Sequence, residues 1–561
     1  MKKLRSQSMK GFSKLSREGF LYGMGYTEEE IHRPFVGVVN SWNEHNPGHS
    51  NLREIAERVK QGIREAGGLP FEVCTSGLCD AMALLNGRYI ELPSRNLIAD
   101  EVEVSIEGNS FDAMVLLTGC DSTVPGMLMA AARLDIPAIM VTPGYMPNGC
   151  YAGKEVSNMD AIVAMGKRNR GEITAEEFEG LNRNAKMGCG SCSFLATGRT
   201  MCCIAEVLGL CMPGNSTVDA TDKRLGKMGY EAGRRVMEML EQGITARSFF
   251  TKESLENAII ADVAMAGSPN LFMHIPAIAY EAEVEGDWWA FWDKMSREVP
   301  LLLNVEPNGR YVFKDFNMAG GMKGFLGTLL PHMHGDVPVA TGKTFREEYE
   351  NSPVYNRNVI RPLDNPVSEE GGVAVMYGNI APEGTIVKVG ACPPNLRHFE
   401  GTVVAFDDVA SAEKAWRNGE FKDGDAIIVK YQGPSCTVAK EPSMGNMAGI
   451  VMEIGSSSLY DKVAFITDGE LSGGNKGLSM SWTSPESAHG GPLAIAQTGD
   501  RIVIDIETRS VNIDVSDAEI AKRLQEVKPV TVDERKIPPM LRVFARNITS
   551  TAQGSAWKRN F

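Results

Sequence analysis

No stretch of the chain is long and apolar enough to read as a membrane span. The basic start, MKKLRSQSMK, lacks the following apolar run that a secretory signal needs, so a cytoplasmic location is expected. Positive charge is in short supply. Lys and Arg number 57 against 71 Asp and Glu, and the net charge of −14 argues against a nucleic-acid partner. Only one C-x-x-C has the look of a ligand pair, and no second pair stands at zinc-ribbon spacing, which argues against structural zinc. No G-x-S-x-G elbow is present, so an acyl-transfer hydrolase has little support.

What is present is an ordinary soluble composition, 43% hydrophobic and 23% charged, over 561 residues. That length exceeds one hydrophobic core, so two or more domains are expected. Eleven cysteines in a reducing compartment point to metal or redox chemistry more than to disulfides.

The chain is organised around Met114 to Gly126, MVLLTGCDSTVPG. Met114 to Leu117 reads as a buried parallel strand, Met127 to Leu134 as a crossover helix, and Pro137 to Val141 as a second strand. Cys120 and Asp121 fall where the first strand ends, which is where open α/β sheets bind ligands. A soft thiolate beside a hard carboxylate suits two metal types, iron-sulfur and magnesium. Taken alone, the pair also reads as a buried Cys and a helix-capping Asp.

Other stretches add to this. Phe35 to Asn40 reads as a buried strand, followed by the loop SWNEHNPGHSNL and a helix from Leu52 to Ala66. His45 and His49 in that loop are read as surface residues rather than ligands. Phe71 to Asp80 ends in a second Cys-Asp pair, Cys79-Asp80, and Leu92 to Glu107 has helical spacing. Cys189 and Cys192 form a C-x-x-C on a glycine-rich turn before a helix, a setting that favours thiolates. Cys202, Cys203 and Cys211 are expected to pack. So are Trp288, Trp289 and Trp292, while the turn Gly267 to Asn270 could line a site.

The texture changes near Pro362 to Pro366. Beyond it, GGVAVMYGN, GTIVKV, GTVVAF, DAIIVKY, VAFITDG, DRIVIDI and SVNIDV alternate with turns, as in a β-barrel or sandwich. Thr467 to Gly474, TDGELSGG, is a strand ending in a glycine-rich turn that exposes Ser472. The expected fold class is α/β, with a parallel-sheet domain over residues 1–365 and a β-barrel-like domain over 366–561. The site is expected between them.

Together these stretches resemble the superfamily of dihydroxy-acid, sugar-acid and 6-phosphogluconate dehydratases. The resemblance spans nearly the whole chain. It rests on SWNEHNPGH, LPSRNLIADEVE, GCDSTVPGMLMAAARLDIPAI, CGSCSFLATGRTM with LGLCMPGN, NRNVIRPLDNP, GGVAVMYGNIAPEGTIVK, and TDGELSGGNKGLS with SPESAHGGPLA. It implies a hydro-lyase that converts a 2,3-dihydroxy carboxylate to a 2-keto acid, with an iron-sulfur cluster (4Fe-4S or 2Fe-2S) and Mg²⁺. It also implies a homodimer or homotetramer.

Carried over by position, Cys120 and Cys192 match cluster ligands, Asp80 and Asp121 match cation ligands, and Ser472 matches the base that takes the C2 proton. There are also departures. The first-loop cysteine of many members is Gly48 here, and Cys79 is the candidate third ligand, with Cys189 and Cys74 in reserve. Ser122 stands where the resemblance expects a lysine, often carbamylated to bind the cation. In GPSCTVAKEPSMGNM the expected carboxylate position falls on Ser443 or Asn446, leaving Glu441 as a displaced substitute. These departures keep two alternatives open: a different lyase or isomerase on the same scaffold, or a non-catalytic homologue with a structural or sensory cluster.

Overall fold

A computed structural model describes residues 4–82, 90–435, 447–471, 473–527 and 537–559. Four strands near the start of the chain build one sheet: β1 (Phe35–Asn40), β2 (Leu69–Cys74), β3 (Ala113–Leu117) and β4 (Ala138–Val141). Their order is β2-β1-β3-β4, and every pair is parallel. Parallel neighbours need crossovers, and helices Leu52–Glu65, Glu91–Asn109 and Thr123–Leu134 supply them.

The apolar run of β1 is buried on both faces because each face meets helices. Val36 and Val38 pack in one layer with Ile55, Val59 and Val236. Phe35 and Val39 pack in the opposite layer with Leu92, Ile98 and Met127. In the first layer, helices Leu52–Glu65 and Arg224–Gln242 approach closely through glycines. A Cβ on Gly62 would stand 2.1 Å from the Tyr230 carbonyl oxygen.

After a short hairpin, β5 (Gly149–Tyr151) and β6 (Lys154–Val156), the chain is mainly helical to Tyr349. Trp288, Trp289 and Trp292 are buried as expected, and Trp292 Nε1 donates to Asp262 Oδ2 at 3.1 Å. Helix Gly11–Gly23 instead leaves Phe12, Leu15 and Phe20 exposed on the surface.

Eight later strands close into a barrel: β7 (Ala374–Gly378), β8 (Ala381–Val387), β9 (His398–Phe406), β10 (Asp425–Val429), β11 (Ala464–Thr467), β12 (Leu478–Ser484), β13 (Arg501–Asp505) and β14 (Ser510–Ile513). Their order around the barrel is β10-β11-β12-β8-β7-β14-β13-β9. The run β9-β10-β11-β12 is parallel, whereas β12-β8-β7 is antiparallel.

The barrel-like expectation holds, but sequence periodicity does not reveal β12. Its sequence, LSMSWTS, reads as polar, yet every residue is buried. Its polar groups are satisfied inside the barrel. Thr483 Oγ1 donates to the Thr467 carbonyl at 2.9 Å, and the Ser481 carbonyl accepts from Thr385 Oγ1 at 3.0 Å. Trp482 in this strand has φ +54°, and its indole turns into the main core with Phe272, Trp289 and Trp292. The barrel therefore packs directly on the α/β part.

Candidate active site

In this sheet β1 is followed by β2 on one side, while β3 lies on its other side. The loops leaving β1 and β3 therefore diverge, and a crevice opens between their carboxyl ends. The loop after β1 brings Asn46 into it, where Asn46 Nδ2 lies 3.2 Å from Cys120 Sγ at the end of β3. Gly48 follows in the same loop, and a Cβ there would stand 2.7 Å from Cys120 Sγ. Position 48 thus faces the Cys120 thiol with no side chain between them.

The loop after β2 brings Cys79 and Asp80. Single ligand atoms of Cys79, Asp80 and Asp121 all lie within 4.8 Å of one another. Cys79 and Cys120 are hydrogen-bonded, which lowers the pKa of the Cys79 thiol and raises that of Cys120. Cys192 is held from behind by Arg199, whose Nε donates to its carbonyl at 3.2 Å. Burial pushes the Cys192 thiol well up, and the charges of Asp121, Cys79 and Asp80 push it further. Asp121 also accepts from the Gly198 N–H at 2.6 Å, at the start of helix Thr197–Val207. It therefore serves a neighbouring helix as well as facing Cys79 and Asp80.

Two acids that sequence reasoning missed complete the group. Glu91, the first residue of helix Glu91–Asn109, is buried, and its pKa is well raised by desolvation and by the charges of Glu470 and Asp80. Glu470, from the turn after β11, is pushed up to about 7 by burial and by Asp80. Asp121 is well raised too, by burial first and then by Asp80, Cys79 and Glu91. Buried acids that raise one another in this way are what a cation site presents before its ion neutralises it. The sequence signal for Glu470 was its place two residues before Ser472. Glu91 carries none beyond opening a helix, where an acid is usually exposed.

The barrel reaches the crevice through Glu470 and Gly473. Ser472 itself lies outside the described residues, as do Glu441, Ser443 and Asn446. Its neighbour Gly473 packs so closely on the Cys192-bearing segment that a Cβ would stand 2.6 Å from the Leu195 carbonyl oxygen. Lys388, at the end of β8, is buried and donates to the Gly473 carbonyl. Burial lowers the Lys388 pKa to about 7, and the nearby Asp262 is raised to about 8. A lysine directly after the buried run Gly384 to Val387 was the available sequence signal.

The remaining candidates lie elsewhere. Cys74 is exposed at the end of β2. Cys189 Sγ points to the Ala220 carbonyl at 4.0 Å and lines an outer cleft with Ser50, Glu54 and Lys223. Cys202, Cys203 and Cys211 are buried packing residues. One loop reading needs correcting. His49 is fully buried rather than on the surface, because its Nδ1 pairs with the Ser41 carbonyl at 2.8 Å. His45 is exposed.

Comparison with known proteins gives the chain a family. Residues 33–348 match the dihydroxy-acid/6-phosphogluconate dehydratase N-terminal family, and residues 358–555 match its C-terminal counterpart. A dihydroxy-acid dehydratase of Caldanaerobacter subterraneus subsp. tengcongensis is 40% identical over 99% of both chains. One of Thermodesulfovibrio yellowstonii is 39% identical over 98% of this chain and 100% of its own. One of Methanobrevibacter smithii is 38% identical over 97% and 98%. With both family halves matched in order around a crevice of thiols and carboxylates, the chain belongs to the dihydroxy-acid/6-phosphogluconate dehydratase family and is a hydro-lyase.

Proposed function

We propose that this protein dehydrates a 2,3-dihydroxy carboxylate, a dihydroxy acid or a sugar acid, to the corresponding 2-keto acid. The observation that carries this reading is the meeting of Cys79, Cys120 and Cys192 with Asp80 and Asp121 at the carboxyl ends of a parallel sheet. Three thiols suit an iron-sulfur cluster, of the 4Fe-4S or 2Fe-2S type, and the carboxylates suit Mg²⁺. The raised acids and mutually perturbed thiols fit both groups. Residues 1–365 would carry these ligands, with Glu441 of the barrel part as a further cation ligand. When bound, the two groups supply Lewis acidity toward the departing hydroxyl and the substrate carboxylate.

The chain's own residues then handle the proton. Ser472 takes it from C2 as the C3–O bond breaks, and the proton is then passed to the departing hydroxide, which leaves as water and returns the serine to its basic form. The resulting enol tautomerises to the 2-keto acid. A serine acts as a base only where nearby positive charge favours its alkoxide, and Lys388, which donates to the carbonyl of the next residue in sequence, Gly473, would provide that charge in its protonated form. Asn270 holds Glu470 in place beside the crevice. The close packing of Gly473 on Leu195 shields this corner from water.

The test is an anaerobic substrate panel of 2,3-dihydroxyisovalerate, C5 and C6 aldonates and 6-phosphogluconate, with the keto acid trapped through its carbonyl. Ser472→Ala abolishes turnover and keeps the cluster spectrum. Full activity in that variant would remove Ser472 from its role. Iron-free, colourless protein after anaerobic reconstitution would sink the reaction itself.

No helix among the described residues is long and apolar enough to cross a membrane. The ten described cysteines are all free, which supports a cytoplasmic location. A homodimer or homotetramer is supported by the exposed Phe12, Leu15 and Phe20 on helix Gly11–Gly23. Light scattering on the intact protein would measure its mass.

A further inference from the structure

Glu91 is 4% exposed, yet its Oε1 has no hydrogen-bond partner among the described residues. A buried carboxylate oxygen left unpaired costs roughly 1–3 kcal/mol or more, so native proteins give it a partner or a cation. The groups facing Glu91 are Glu470, Asp80 and the hydroxyl of Ser122. Ser122 is 2% exposed, and its hydroxyl approaches Glu91 without closing a hydrogen bond of good geometry among the described residues. The Glu91 carboxylate and the Ser122 hydroxyl are thus buried side by side at the rim of the Cys79, Asp80 and Asp121 group, and Glu91 Oε1 closes no hydrogen bond of good geometry among the described residues.

Arg95 is the cationic side chain acting on Glu91, but its hydrogen bonds go elsewhere. Its Nη2 donates to the carbonyls of Gly554 and Ser555 and to Asn96 Oδ1, its Nε also donates to Asn96 Oδ1, and its Nη1 meets His274 Nδ1 at 3.2 Å. An acid serving only its own helix dipole would sit on the surface. Glu91 instead turns inward, to where Asp80, Asp121 and Glu470 already concentrate negative charge.

We propose that Glu91 is a direct ligand of the divalent cation, binding through Oε1 beside Asp80 and Asp121. Ser122, a short side chain, leaves the space through which Glu91 reaches the ion. An all-oxygen set of carboxylates selects a hard cation such as Mg²⁺ or Mn²⁺. This inference rests on the cation reading given under Proposed function, and it adds a ligand that the motif positions do not supply.

The test titrates cluster-loaded protein with Mn²⁺ and follows free Mn²⁺ by electron paramagnetic resonance. Glu91→Gln keeps size and hydrogen bonding but removes the charge. It should weaken Mn²⁺ binding at least about tenfold while the cluster absorbance is unchanged. Equal affinity in wild type and variant, with the cluster intact, overturns the proposal. Wild-type protein that binds no Mn²⁺ at all overturns the cation reading along with it. If Glu91→Gln fails to fold or to hold a cluster, Glu91→Asp decides. That variant keeps the charge and withdraws the oxygen by one methylene. Weaker binding with an intact cluster supports the proposal, and unchanged binding overturns it.

Discussion

Asn270 and Trp482 are joined across the two folded parts, with Trp482 Nε1 donating to Asn270 Oδ1 at 3.2 Å. The amide of Asn270 is then fully used. Its Nδ2 donates to Glu470 and to Thr197 Oγ1, the latter at 3.0 Å. One buried side chain thus ties β12, Glu470 and the start of helix Thr197–Val207 together. Asn270→Leu keeps the volume and strands all three partners. It should cost about 3 kcal/mol or more, since each unpaired buried group costs roughly 1–3. Urea denaturation of cluster-loaded protein measures this, and a change near zero would mean that the interface does not depend on the amide.

The thiols divide by direction. Cys79 faces Cys120, whereas Cys189 faces the Ala220 carbonyl and an outer cleft. Cys79→Ser should therefore lower cluster absorbance after anaerobic reconstitution, and Cys189→Ser should leave it at the wild-type level. A full cluster in Cys79→Ser, or its loss in Cys189→Ser, would reverse this assignment.

Lys388 donates to the carbonyl of Gly473, the residue that follows Ser472 in sequence. Lys388→Met keeps the length of the side chain and removes both charge and donor. It should lower kcat about 10²-fold, the usual loss for one positioned electrostatic group, with KM and the cluster spectrum little changed. Unchanged kcat would reduce Lys388 to a packing residue.

How much of this was legible in the sequence follows from how far each signal reaches along the chain. The strands around Met114 and Phe35 declared themselves because parallel strands buried on both faces are continuous apolar runs. Cys79, Asp80, Cys120, Asp121 and Cys192 were legible as motif residues at strand ends and on a glycine-rich turn. β12 was not, because its hydroxyls are satisfied only by partners on distant strands. Glu91 was hidden for a similar reason. An acid opening a helix is a surface feature by local rules, and only the tertiary fold turns it toward Asp80 and Glu470. His49 was misread because its partner, the Ser41 carbonyl, belongs to the fold of the loop rather than to its composition.

His49 gives a pH dependence of definite sign. Burial lowers its pKa from 6.5 to about 4, and its Nδ1 is committed to the Ser41 carbonyl. Nε2 is buried without a partner among the described residues, so the neutral ring is the folded form. Between pH 4 and 6.5 the unfolded chain binds a proton that the folded chain does not, so stability rises with pH across that window. The contribution is complete above about pH 6.5 and is lost as pH falls toward 4. A shift of this size is worth about 3 kcal/mol, at 1.36 kcal/mol for each pKa unit. The buried acids work in the opposite sense. Glu470, raised to about 7, stabilises the cation-free fold less as pH rises from 4.5 to 7. The two effects separate in the difference between wild type and His49→Gln, where the acids cancel. Unfolding free energies from urea titrations between pH 4 and 7.5 should show the wild-type value rising with pH relative to the variant. Parallel curves would mean that His49 takes up its proton in the folded protein.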